Sequence, residues 1–217
     1  MKRSRLVHLA VVLAFAAQAE EAPWETVLKG PITIKNRAIP GTPIKAVWAE
    51  GDIAAPVQDL QTTLLAVERF RYFMPFLKEA RQVGGDRPDG SRLIYTLIDL
   101  PLVGKRDYVE RVSVVQWVKP DGSGAFEDTW SAEPDRLPRT PDVVRLLKND
   151  GGWRVTPIGD GSKSHVVYTF AVDPGGWVPP FAANLGNQEG VAETFRVVEK
   201  EAQRRRDERL ARVAKAR

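Results

Sequence analysis

The chain has 217 residues, with 32 Lys/Arg against 28 Asp/Glu and no cysteine. That length suits one domain with a sizeable core, and the absence of cysteine excludes disulfides, thiolate nucleophiles, Cys-ligated zinc and iron–sulfur clusters. The positive charge sits at the ends: residues 1–19 hold three Lys/Arg and residues 204–217 hold seven, leaving 22 basic against 26 acidic residues in 20–203, so no basic surface for nucleic acid is expected.

Lys2, Arg3 and Arg5 precede an apolar run from Leu6 to Ala17, and Ala17-Gln18-Ala19 is a small-x-small cleavage pattern. This reads as a secretory signal peptide over residues 1–19, cut after Ala19. The run is too short to span a bilayer comfortably. The expected location is the periplasm or outside the cell, where a cysteine-free domain must stand on its own core.

Residues 24–30, 32–39 and 44–49 are short β-branched or alternating runs separated by Pro31 and Pro40-Gly41-Thr42-Pro43, which predicts strands and turns. From Val57 the period becomes helical, with Leu60, Leu64, Val67 and Phe70, then Phe73, Phe76 and Leu77; Asp52 is a candidate cap. From Lys78 the pattern is β again. Arg92 to Asp99, Asp107 to Val118, Ala125 to Ala132, Val143 to Leu147, Trp153 to Pro157 and Ser164 to Val172 are predicted strands. The turns between them include Gly84-Gly85-Asp86, Pro120 to Gly124, Asn149 to Gly152 and Gly159-Asp160-Gly161. Short Gly/Asp turns imply antiparallel pairing. The last pattern is a helix with Phe181, Leu185, Val191, Phe195 and Val198 on one broad face, the natural filler for a curled sheet's concave side. Residues 204–217 form a basic helical extension, either solvated or weakly attracted to anionic lipid headgroups.

Few chemistries survive this composition. Past His8 the one histidine is His165, which rules out His-rich metal sites; no nucleophile elbow, phosphate loop or dinucleotide fingerprint is present. Glu127 and Asp128 are neighbours on a strand and point to opposite faces. What remains is apolar: Val166, Tyr168, Phe170 and Val172 share one strand face, Leu93, Tyr95 and Leu97 another, with Trp130 and Trp153 in strands. Such faces are core, or the walls of a cavity for a small ligand. Asp173-Pro174-Gly175-Gly176-Trp177-Val178-Pro179-Pro180, between the last strand and the last helix, is a tight irregular turn presenting apolar side chains: a connection, a lid, or a membrane-touching loop.

Three motifs then resemble the START (StAR-related lipid transfer) family of the helix-grip superfamily. They are Asp99 to Val109 with Arg106-Asp107-Tyr108-Val109, then Gly151-Gly152-Trp153-Arg154-Val155-Thr156-Pro157, then Val172 to Pro179 followed by Asn184. Their order and spacing match over residues 24–203. The resemblance implies an α+β helix-grip fold over residues 20–203, a curved antiparallel sheet around a long C-terminal helix with a hydrophobic tunnel. It implies binding and shuttling of one lipid, no catalysis, no cofactor and no metal. Phe73, Tyr95, Leu97, Arg111, Trp130, Arg145, Tyr168, Phe170, Phe181, Leu185 and Phe195 become the expected ligand-binding residues. Arg111, Asp128 and Arg145 are candidates for the polar end. Two gate loops are implied, carrying Leu100, Leu102, Val103, Gly175, Gly176, Trp177, Val178 and Pro179. The partners would be a phospholipid or a hopanoid- or sterol-like lipid, and a transient membrane surface. An enzyme of the same superfamily, cyclase- or aromatase-like, is the alternative; it needs an acid/base pair in the tunnel.

Overall fold

A computed structural model describes residues 21–176 and 188–216. The predicted signal segment 1–19 and the expected site residues Trp177, Val178, Pro179, Phe181 and Leu185 lie outside the described residues.

Ten strands form one sheet. They are β1 (Glu25–Leu28), β2 (Ile32–Ala38), β3 (Lys45–Ile53), β4 (Leu77–Val83), β5 (Arg92–Leu100), β6 (Gly104–Gln116), β7 (Phe126–Ala132), β8 (Val144–Arg145), β9 (Asn149–Ile158) and β10 (Lys163–Val172). Their order across the sheet is β1-β2-β3-β10-β9-β7-β6-β5-β4, antiparallel throughout, with β8 pairing β6 in parallel at Arg106 and Asp107. Tight turns join most neighbours, but β3 meets β10 in the middle, so the first three strands close onto the end of the meander. Two helices face the concave side: α1 (Val57–Leu65) and α2 (Glu189–Lys215). The curved sheet and its long C-terminal helix are the helix-grip architecture expected from the sequence.

Period-two alternation divides each strand between the two faces. Val47, Ala49 and Ile53 of β3, Phe126 of β7, Val155 of β9 and Val166 of β10 turn inward. They pack with Val57, Leu60 and Leu64 of α1 and with Val191, Phe195, Val198 and Ala202 of α2. A smaller cluster lies further along the same face: Val67, Leu77, Ala80, Ile94 and Val112, with Phe70 and Ile98 against it. Charge fixes α2 at the closed end. Asp59 of α1, almost sealed, accepts two hydrogen bonds from Arg209 (2.9 and 2.7 Å), and Glu199 accepts the Ala54 N–H (2.9 Å). Helix α2 therefore runs unbroken past Gln203, and part of the predicted basic extension is tied into the body.

Two local expectations change. Asp52 does not cap a helix: it is in β3, its carboxylate 2.8 Å from His165 Nδ1, and α1 starts after Pro56. The predicted turn Asn149 to Gly152 is the first part of β9. Its glycines are there for space, since a Cβ on Gly151 would sit 2.4 Å from the Trp130 ring and one on Gly152 2.6 Å from the Asp128 carbonyl. Glycine inside a strand here marks close approach from a neighbouring strand.

Candidate functional site

The strand registers bring one set of side chains onto the concave face, running across both apolar clusters. Phe170, Tyr168 and Val166 of β10 stand opposite Gly151, Trp153 and Val155 of β9. Trp153 and Val155 in turn stand opposite Asp128 and Phe126 of β7, and Trp130 opposes Gly151. Tyr108, Glu110 and Val112 of β6 continue the face between Ala132 and Trp130 of β7 and Thr96, Ile94 and Arg92 of β5. Aromatic rings dominate it. Trp153 stacks on Tyr168 (centroids 3.9 Å, planes 7° apart), Phe170 lies 4.8 Å from Tyr168, and Phe195 of α2 closes on Trp153 at 6.2 Å.

Burial is uneven across this face. Phe126, Val155, Val166 and Val198 have no accessible surface, as in a close-packed core. Tyr108, Glu110, Trp130, Tyr168 and Phe170 are only half-buried. Yet burial strongly raises the Tyr108 and Tyr168 hydroxyls and the Glu110 carboxyl, which places these groups deep inside the protein. Groups that are deep and still accessible border an internal space.

A polar group sits within this aromatic wall. Asn149 Nδ2 donates to Glu110 Oε2 (2.9 Å), and Trp130 Nε1 donates to Asn149 Oδ1 (3.4 Å). Loss of solvation pushes the Glu110 carboxyl up to about 8, with the nearby Asp128 charge adding to the shift. Asp128 accepts the Trp153 N–H (3.0 Å) and is raised to about 7, again by burial, although that bond and Arg92 act in the opposite direction. Two carboxyls with raised values thus lie near each other on the concave side, Glu110 half-buried and Asp128 sealed. Among the described residues no cluster of side chains is arranged to hold a metal ion.

Two loops meet at the start of β6. Leu100-Pro101-Leu102-Val103 is a turn closed by Val103 N–H to Leu100 carbonyl (3.2 Å), with proline at its second position and Leu102 at φ 64° in its third, where glycine is usual. Leu102 is 83% exposed and Phe76, at φ 61°, is 51% exposed. Both are bulky apolar residues in a left-handed conformation, and both project into solvent. The second loop begins at Asp173, whose carboxylate accepts the Gly175 N–H (2.9 Å); Gly175 and Gly176 have φ near 60°. Arg106 joins the two, donating to the Val103 and Gly104 carbonyls of the first and the Pro174 carbonyl of the second.

Of the expected ligand-binding residues, Trp130, Tyr168, Phe170 and Phe195 come together on the concave side. Phe73 ends the 3-10 segment Val67–Tyr72 and packs edge-on against Phe70 (5.6 Å). Tyr95, Leu97, Arg111 and Arg145 do not join them. Register puts Tyr95, Leu97 and Arg111 on the convex face, alternating with Ile94, Thr96 and Glu110. Arg111 pairs there with Glu133 (2.6 Å). Arg145 is sealed against Asp107 (2.7 Å, both 1% exposed) and the carbonyls of Pro134, Leu137 and Pro138, which leaves it nothing to offer a ligand. Sequence reasoning passed over Tyr108, Glu110, Asn149 and Trp153. The signal for Glu110 was present: a carboxylate at an inward position of the strand Tyr108, Glu110, Val112, Val114.

With this geometry in hand, the fold is that of START-type helix-grip proteins. A STAR-related lipid transfer protein fragment from Xanthomonas axonopodis superposes with TM-score 0.69 at 23% identity, over 83% of this chain and 98% of that one. Human STARD10 gives TM-score 0.73 at 14% identity, over 88% and 77%. The Zhui aromatase/cyclase from Streptomyces sp. R1128 gives 0.53 at 15%, over 75% and 95%. In sequence, an uncharacterized Pseudomonas aeruginosa protein is 26% identical over 180 residues, 81% of this chain and 84% of that protein. No protein-family model matches the chain.

Proposed function

We propose that this is a START-type lipid carrier of the bacterial cell envelope, which holds one hydrophobic lipid between the sheet and α2 and exchanges it with a membrane. The observation that carries the reading is the set of rings of Trp130, Tyr168 and Phe170, which pack against the larger core cluster and still keep accessible surface. Each methylene buried against such a wall gains about 0.8 kcal/mol, so a matched cavity offsets most of the cost of taking a lipid through water. The solved structures named for lipid transfer, and the signal-like segment 1–19, are consistent with this role. Leu102 and Phe76 supply the membrane contact. Each is held in a backbone conformation unfavourable for its side chain and exposes apolar surface, two costs that a water-facing loop has no reason to carry.

The test is transfer of a fluorescent lipid between vesicles. The protein accelerates transfer, and Leu102→Asp slows it about tenfold with an unchanged melting temperature. Transfer at the protein-free rate contradicts carriage.

One observation favours a second reading. Glu110 and Asp128 are close enough for the Asp128 charge to act on Glu110, both carboxyls are raised, and such a pair is the requirement of an acid/base enzyme acting on a hydrophobic substrate. Conversion of a bound lipid to a product of different mass, lost in both Glu110→Gln and Asp128→Asn, would establish it.

A further inference from the structure

Building on the lipid-binding reading, we infer that the cavity selects a neutral lipid ending in a hydroxyl or carbonyl, such as a sterol-type alcohol or a diacylglycerol, and rejects phospholipids, with Glu110 the residue that makes the distinction. Glu110 Oε2 is taken by Asn149 Nδ2 at 2.9 Å, and Asn149 is itself fixed by Trp130 Nε1 at 3.4 Å. Glu110 Oε1 takes no hydrogen bond from the described residues and is left facing the internal space.

Among the described residues, the cations whose register shares this face are Arg92 and Arg106. The groups around Glu110 are Tyr108 on its own strand, Asp128 on β7 and Tyr168 on β10; β5 offers Ile94 and Thr96, and α2 offers Val191, Phe195 and Val198. Arg92 donates from Nη1 to the Leu65 carbonyl (3.3 Å), its Nη2 is enclosed by protein without a hydrogen-bond partner, and its charge acts on Asp128. Arg106 stands at the mouth, with its guanidinium on the carbonyls of both loops. A phosphate brought to Glu110 would therefore meet two carboxyls and two phenols. A hydroxyl or carbonyl meets partners that suit it. The neutral Glu110 carboxyl, favoured by its desolvation, donates one O–H, and the Tyr108 and Tyr168 hydroxyls can donate or accept. A site built to hydrogen-bond a neutral group discriminates strongly against a ligand that leaves those groups unpaired.

The test is competitive loading of the full chain from vesicles of phosphatidylethanolamine, phosphatidylglycerol, diacylglycerol and cholesterol, read by native mass spectrometry. At pH 6.5 the neutral lipids should fill the protein at least tenfold above their share of the vesicle. Raising the pH to 9.5 should cut that occupancy severalfold in the wild type but not in Glu110→Gln, which keeps the shape and the donor without the charge. Glu110→Leu should lose the preference while still taking up lipid. Adducts dominated by phospholipid, or a preference unchanged in Glu110→Leu, overturn the inference and leave lipid binding standing. Uptake of neither class overturns the inference together with the reading it rests on.

Discussion

At the scale of single residues, spacing decides which substitutions matter. Gly151 has no room for a methyl group, because a Cβ would also sit 2.3 Å from the Thr169 carbonyl. Gly151→Ala should cost about 1–3 kcal/mol, the range for an overpacked core, and disturb Trp130 on the cavity wall; chemical denaturation measures it. Arg145→Met should cost about 3–5 kcal/mol by leaving Asp107 buried and charged, with no change in which lipid binds, since Arg145 faces away from the cavity. Glu110 gives a pH signature. Its carboxyl rises from an ordinary value of 4.5 to about 8 on folding, so the folded state holds a proton that the unfolded chain has released. The stability linked to it is complete below about pH 4.5 and is lost as pH climbs through 8. Between pH 5 and 9 the wild-type melting temperature should fall relative to that of Glu110→Gln; parallel curves would contradict the buried neutral carboxyl. The glycine motif was legible in the sequence as a motif but not as a cause. That Gly151 makes way for the Trp130 ring follows only from the β7–β9 register.

At the scale of elements, strands and helices followed their periods closely, and the error lay in choosing a face. On β10 the alternation Val166, Tyr168, Phe170 is unambiguous because its other face is more polar. On β5 both faces are largely apolar. Leu93, Tyr95 and Leu97 look like core in sequence, and Tyr95 is indeed buried, but on the convex side. Burial raises its phenol, and Thr140 hydrogen-bonds to it. The proline-rich crossing from Glu133 to Asp142 covers that outer surface, so outward residues there are apolar for a reason unrelated to the cavity. A one-residue change of register reverses every such assignment, which is why Ile94 and Thr96, not Tyr95 and Leu97, accompany Glu110. The two loops at the mouth form one mechanical unit through Arg106. Arg106→Leu should remove their shared hydrogen bonds, lower stability by about 1–3 kcal/mol and raise the rate at which bound lipid exchanges with vesicles. A slower or unchanged exchange would remove Arg106 as the tie between the loops.

At the scale of the whole molecule, one continuous sheet carries two apolar clusters that both touch Trp130, and the half-buried Tyr108, Glu110, Tyr168 and Phe170 border the space inferred on that face. The larger cluster, beneath α1 and α2, supplies the stability of the fold. The overall architecture was legible in the sequence because three motifs fell in order on the correct elements. The polar heart of the cavity was not, because Glu110 and Asn149 are 39 residues apart and meet only when β6, β7 and β9 are assembled. The central claim is that this space holds a lipid. Native mass spectrometry of the protein purified from cells without detergent tests it most directly. The expected result is a single adduct of lipid mass, released by organic solvent and regained on incubation with vesicles. Protein that is repeatedly free of adduct and takes up none from vesicles would contradict it.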